Sequence, residues 1–201
     1  MSESHAGASL GAFYAWWRGD AWPTLTPVEG LTVDASEDDL ALGVEAQITR
    51  VEAERRFMAG HRVYVARFAG APVAHGWSAT RQAAVGELGV RLRVLPGARY
   101  LWDFATAPAW RGRGFYPLLL QAIMARETEP SQFWIGHEQE NRSSQRGILK
   151  AGFAPVGVLR RGANGKPEFI PSGPLSRARI GARLLGVPLV EGDALSAAPD
   201  A

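Results

Sequence analysis

The chain has no cysteine, which excludes disulfides, thiolate metal sites and covalent catalysis through a thiol. Its four histidines show no i, i+4 pair or other ligand spacing, so no metal is expected. Only two lysines, Lys150 and Lys166, stand among the 22 basic residues. The arginines that make up the rest are scattered and read as solvated faces, so no nucleic-acid partner is expected. No apolar run reaches the roughly eighteen residues of a membrane helix, so no membrane partner is expected either. The opening residues, MSESHAGASLGAF, lack a basic start followed by an apolar stretch. A cytoplasmic location is the expectation that follows.

What is present suits one domain. The 201 residues are 46% apolar, enough to bury a sizeable core, and the formal charge is only +2. Residues 1–29 form an aromatic-rich extension in which Phe13, Tyr14, Trp16, Trp17 and Trp22 crowd together. It is expected to be a short helix packed on the body, with a wall of a substrate pocket as the sharper alternative. Residues 30–162 carry the regular patterns. Residues 163–201 form a C-terminal extension with a short helix near 176–185 and an end expected to lack order.

The regular part begins with a short strand at 31–33. A helical stretch at 37–59 follows, with Ser36 as its cap and acids at its start. Alternation at 62–68 and 73–79, joined by Ala69-Gly70-Ala71-Pro72, reads as an antiparallel hairpin. Another strand or a long hairpin arm is expected at 88–95. RYLWDFAT, 99–106, reads as a buried strand. An amphipathic helix at 113–128 carries Phe115, Leu118, Leu119, Ala122 and Ile123 at helical spacing. Pro117 falls in its first turn, where a missing N–H costs nothing. A strand at 132–136, a helix at 141–151 capped by Asn141 and stopped by Gly152, and a strand at 153–159 complete the pattern. This order predicts an α/β (α+β) fold, a mixed, mostly antiparallel sheet with a late crossover, flanked by helices.

Chemistry concentrates at the junction from Thr106 to Tyr116. It joins a buried strand to a helix N-terminus and holds Arg111-Gly112-Arg113-Gly114. Glycines there let backbone N–H groups converge on an anion, the helix dipole adds partial positive charge, and two arginines add full charges. A phosphate or diphosphate site follows from these residues alone. A P-loop is excluded because Gly114 precedes Phe115 and Tyr116 instead of Lys-Ser/Thr. A dinucleotide fingerprint fits poorly, since Pro117 stands where a third glycine belongs and Trp134 where an acid belongs.

These residues resemble a known family. Arg111-Gly112-Arg113-Gly114 is similar to the start of the Arg/Gln-x-x-Gly-x-Gly/Ala coenzyme A motif of the GCN5-related N-acetyltransferases (GNAT), with Pro108 and Trp110 where that family has proline and an aromatic. Asn141-x-x-Ser144 followed by Gly152-Phe153 resembles its later helix. The resemblance spans roughly residues 30–159. It implies an acetyl-CoA-dependent N-acetyltransferase with a GNAT-like sheet, moving an acetyl group to a primary amine of a small molecule or peptide. With no cysteine for an acyl-enzyme, direct transfer in a ternary complex is implied.

On that resemblance, the backbone of Phe104, Ala105 and Thr106 would pair with the pantetheine arm and polarise the thioester carbonyl. Amides of Gly112, Arg113, Gly114, Phe115 and Tyr116 would surround the diphosphate, with Pro117 closing the turn without an N–H. Arg111 and Arg113 would add charge, and Asn141 and Ser144 would contact the thiol end, with helix capping the plain alternative for Asn141. Two positions depart from the family. Tyr116 replaces the final Gly/Ala, and Ile148 stands where a proton-donating tyrosine is frequent. Candidate general bases are Asp103, then Glu87, then His75, while His137 is expected outside the pocket. The alternative for Asp103 is a structural carboxylate paired with an arginine. Two further readings stay open: a non-catalytic CoA or acyl-CoA sensor on the same fold, and a binder of another phosphorylated ligand. A homodimer also stays open, and the acceptor amine is not specified.

Overall fold

The computed structural model describes residues 7–36, 48–85 and 90–191. An eight-stranded sheet runs through it. In chain order its strands are β1 (Ser9–Trp17), β2 (Leu31–Ser36), β3 (Arg62–Phe68), β4 (Ala71–Ala79), β7 (Ala98–Thr106), β8 (Gln132–Glu138), β9 (Ala154–Arg161) and β10 (Pro167–Pro171). Between β4 and β7, β5 (Gln82–Val85) and β6 (Val90–Arg93) form a separate two-stranded ribbon. Four α-helices are described: α1 (Arg50–Met58), α2 (Phe115–Arg126), α3 (Arg142–Lys150) and α4 (Leu175–Leu185).

The strand order is β10-β9-β1-β8-β7-β4-β3-β2. Every named ladder in this sheet is antiparallel except β7–β8, which is parallel. Parallel neighbours need a crossover, and α2 supplies it. The fold is therefore mixed α/β with a mostly antiparallel sheet flanked by helices, as the pattern predicts.

The aromatic N-terminal segment corrects one expectation. It is not a helix but β1, hydrogen-bonded to β8 on one side and β9 on the other. Its side chains alternate. Tyr14 and Trp16 join the core beneath α2 and α3, while Phe13 and Ala15 join the core beneath α4. Both faces are buried, so the strand reads as a continuous apolar run whose periodicity alone cannot tell helix from strand. Its aromatic richness is the sign that favours a strand. Strands from 1–29, 30–162 and 163–201 thus all lie in one sheet.

Ser36, expected as a helix cap, is the last residue of β2, opposite Val63. The cap of α1 is Thr49, whose hydroxyl accepts the Glu52 N–H at 3.2 Å. Residues 37–47 of the expected longer helix lie outside the described residues, as does the C-terminal stretch 192–201.

Apolar packing divides by face. Leu119, Leu120 and Ile123 of α2 and Ile148 of α3 pack on Leu101, Phe133 and Ile135. On the opposite face, Ala178 and Leu185 of α4 pack with Phe13, Trp134 and Phe169. Ala53 of α1 packs there with Val63, Val65 and Trp77. At the C-terminal end of α2, buried Glu127 accepts from Arg99 Nε at 2.5 Å and from the Tyr64 hydroxyl at 3.1 Å. This pairing lets a carboxylate stay inside.

Candidate functional site

The site begins where the parallel ladder ends. β7 and β8 pair from Ala98↔Gln132 to Leu101↔Ile135 and then diverge. Beyond that point residues 102–106 of β7 and 136–138 of β8 face each other without a ladder, leaving a wedge between them. On its other edge β7 stays attached to β4 through Ala105↔His75 and Thr106↔Ala74.

A bulge accompanies the divergence. Trp102 pairs with Trp77 and Ala105 with His75, so Asp103 and Phe104 together oppose Gly76. Asp103 takes φ 52°, a left-handed value rare in non-glycine residues. The Phe104 ring folds over Gly76, where an added Cβ would sit 2.0 Å from ring carbon Cε1. Any side chain at position 76 would have to displace that ring.

The mouth of the wedge is the Thr106–Tyr116 junction. A 3-10 turn at Pro108–Trp110 leads into Gly112 and Gly114, with φ 77° and 80°. Gly114 is the N-cap of α2 and no side chain caps that end. The first-turn amides of a helix have no intrahelical acceptor, so here they are available to an anion. Arg111 Nε donates to the Thr106 carbonyl at 3.1 Å. Arg113 lies over the Trp110 ring at 4.6 Å. Both arginines are exposed. Phe115 is buried, packed against Phe68 and Trp110, and Pro117 is buried in the first turn of α2.

Asn141 caps α3, its Oδ1 accepting the Ser144 N–H at 3.0 Å and the Ser143 hydroxyl at 2.9 Å. The Ser144 hydroxyl lies 3.3 Å from that of Tyr116. Tyr116 is thus turned onto α3, where an added Cβ at Gly147 would lie 2.3 Å from ring carbon Cδ1. Its ring also meets that of Phe104 at 5.3 Å. Burial holds the Tyr116 hydroxyl firmly protonated, its pKa well above the ordinary tyrosine value.

The candidate bases separate. Asp103 accepts from Arg56 Nη1 of α1 at 2.5 Å, the arginine pairing kept open above for it. His75 is buried in β4 beside Ala105. Glu87 lies outside the described residues. His137, expected away from the pocket, stands on β8 beyond the last residue paired with β7. It meets Tyr14, which the sequence did not single out as a polar partner, and Gln145 joins through Tyr14. The Tyr14 hydroxyl lies 3.1 Å from His137 Nε2, and Gln145 Nε2 donates to that hydroxyl at 3.2 Å. The only hint of this in the sequence is a hydroxyl inside an otherwise apolar aromatic run.

No family model matches the sequence, and no curated protein does either. Solved structures do match. An acetyltransferase of the GNAT family from Colwellia psychrerythraea is 14% identical, with a TM-score of 0.53 over 76% of this chain and 55% of that one. A GCN5-related N-acetyltransferase from Sphaerobacter thermophilus is 18% identical, with a TM-score of 0.52 over 76% of this chain and 51% of that one. The chain therefore spans little more than half the length of these structures. At such identities the likeness concerns architecture, and the chain has the fold of the GCN5-related N-acetyltransferases.

Proposed function

We propose that the protein is an acyltransferase that moves an acetyl group from acetyl-coenzyme A to a primary amine, by direct transfer in a ternary complex. The observation that carries this reading is the wedge. It joins an unpaired strand edge at a bulge to an uncapped helix end just after two exposed arginines. An extended arm bearing amides fits the free edge of β7, and a diphosphate fits the amides of Gly112 to Tyr116. Arg111 and Arg113 supply the countercharge. The names of the structural neighbours agree with this reaction class.

Transfer needs a neutral amine nitrogen, a polarised thioester carbonyl and a route for the leaving sulfur. Unpaired N–H groups on the bulged edge of β7 are the polarising donors, held rigidly because β4 binds the opposite edge. The new C–N bond forms as the C–S bond breaks, and the nitrogen releases its proton to solvent. A small molecule and a peptide both remain acceptors under this reading, in the cytoplasm.

One observation favours the second reading, a CoA sensor without turnover. Ile148 on α3 is fully buried and carries no proton. Calorimetry with CoA and a thiol-release assay with pooled amines separate the two. The enzyme gives both binding and turnover, whereas a sensor gives binding alone. Gly114→Asp should weaken CoA binding at least tenfold, because it sets a negative charge beside the diphosphate. An added Cβ at Gly114 meets nothing within 4 Å, but φ 80° strains any side chain there, so the melting temperature of each variant is measured beside its affinity. Gly114→Asn, neutral and tolerant of positive φ, should bind nearly as wild type. Unchanged affinity in folded Gly114→Asp would move the site elsewhere.

A further inference from the structure

We propose that the Tyr14 hydroxyl, positioned by His137 and Gln145, is the group that meets the departing sulfur. This inference rests on the acyl-transfer reading above. It assigns a catalytic role to the strand inserted between β8 and β9, in a segment that sequence patterns treat as packing.

Register places the residue. Tyr14 pairs with Ile135, and Ile135 is the last β8 residue joined to β7. The Tyr14 side chain therefore stands one strand away from the apex of the wedge, on the face covered by α2 and α3. His137 follows two residues later on β8, so its side chain lies on the same face, beyond the apex. The two rings stack with centroids 5.4 Å apart. Gln145 reaches down from α3 and completes the group.

Hydrogen bonding fixes the direction of each proton. His137 Nδ1 lies 2.6 Å from the Glu138 carbonyl, which can only accept, so Nδ1 carries the hydrogen. With the hydrogen on Nδ1, Nε2 is the accepting nitrogen, and the Tyr14 O–H donates to it. Gln145 Nε2–H donates to the Tyr14 oxygen. The result is a phenol whose proton is aimed and whose oxygen is already braced against developing negative charge. Burial raises the Tyr14 pKa, opposed by the Gln145 hydrogen bond and by Arg142. The group is therefore a phenol at neutral pH.

The Ser144 and Tyr116 hydroxyls lie together at the start of α2. Ile148, one helical turn beyond Ser144, is apolar. When the C–S bond breaks, the electron pair goes to sulfur. The Tyr14 O–H turns from Nε2 toward it by rotation about the C–O bond, leaving the ring in place. If the proton transfers, the phenolate is held by Gln145 and regains a proton from solvent, so amine and thioester give amide and thiol.

The test compares CoA with desulfo-CoA by calorimetry, alongside turnover. Wild type should bind CoA about three- to tenfold more tightly than desulfo-CoA, the scale of one hydrogen bond. In Tyr14→Phe, which keeps the ring and its packing, that preference should vanish. There kcat should fall on the order of 100-fold, with the KM for acetyl-CoA nearly unchanged. If Tyr14→Phe melts early, Gln145→Leu should show the same loss of preference with a smaller fall in kcat. An unchanged preference for CoA, with unchanged kcat in either folded variant, overturns the role of Tyr14 and leaves acyl transfer standing. Failure of wild type to bind CoA at all overturns the underlying reading itself.

Discussion

Arg56 Nη1 donates to Asp103 Oδ2 at 2.5 Å while its guanidinium lies between the rings of Trp77 and Trp102, 4.9 and 4.2 Å from their centroids. A helix on one face of the sheet thus grips the one β7 residue with positive φ, at the bulge that opens the wedge. The indoles shield the cation, and the carboxylates of Asp103 and Glu52 neutralise it.

This pairing yields a sharp test of Asp103. Asp103→Asn tolerates the left-handed backbone but loses the ion pair, and should lower stability by about 1–3 kcal/mol. Turnover should then follow the folded fraction. Asp103→Gly also accepts φ 52° and should behave alike, whereas Asp103→Ala adds backbone strain. A fall of roughly 10²–10⁴-fold in the acylation rate of folded Asp103→Asn, shrinking as pH rises, would instead identify the carboxylate as the general base.

Tyr116 and Gly147 make a second coupled pair. Glycine inside a helix normally costs about 0.5–1 kcal/mol relative to alanine. Here an alanine methyl would lie 2.3 Å from the Tyr116 ring, so Gly147→Ala should destabilise the protein. In a Tyr116→Ala background the same change should become stabilising. Denaturant melts of the four proteins give the coupling directly, and additive effects would exclude the contact.

The two glycine-bearing blocks were legible in the sequence because their chemistry is local. A helix N-terminus, its glycines and its arginines lie within a few residues of one another. The hairpin at 62–79 and the helices near Phe115 and Asn141 were legible for the same reason, since their periodicity and caps are short-range. The place of β1 was not. Tyr14 and His137 are 123 residues apart and meet only because β1 inserts between β8 and β9. The bulge at Asp103 was equally hidden, because nothing in RYLWDFAT marks which residue turns left-handed. Tyr116 looked like an obstacle at the proposed cofactor loop until Gly147 supplied the space it occupies.

The last expectation concerns acid. Glu52 accepts from Arg55 Nε and Nη2, each at 2.7 Å, and from Arg56 Nε at 2.8 Å. Foremost the Arg55 hydrogen bonds, then those of Arg56 and the charges of both, hold its carboxyl well below the ordinary range, at about 2. A carboxylate with a depressed folded pKa binds protons more readily when unfolded. Its stabilisation is therefore present above the unfolded value and lost as pH falls through the folded one. Glu52→Gln should be less stable than wild type at pH 7, and the gap should close between about pH 4.5 and 2. Asp20, whose pKa is lowered chiefly by its hydrogen bond with Arg177, adds to acid sensitivity in both proteins and cancels in the comparison. Because Glu52 is partly exposed, the gap should also narrow in 1 M salt, where screening acts within about 3 Å. Melting temperatures across this pH range check the sign, and a gap that widens toward pH 2 would show that Glu52 is not held as an anion by Arg55 and Arg56.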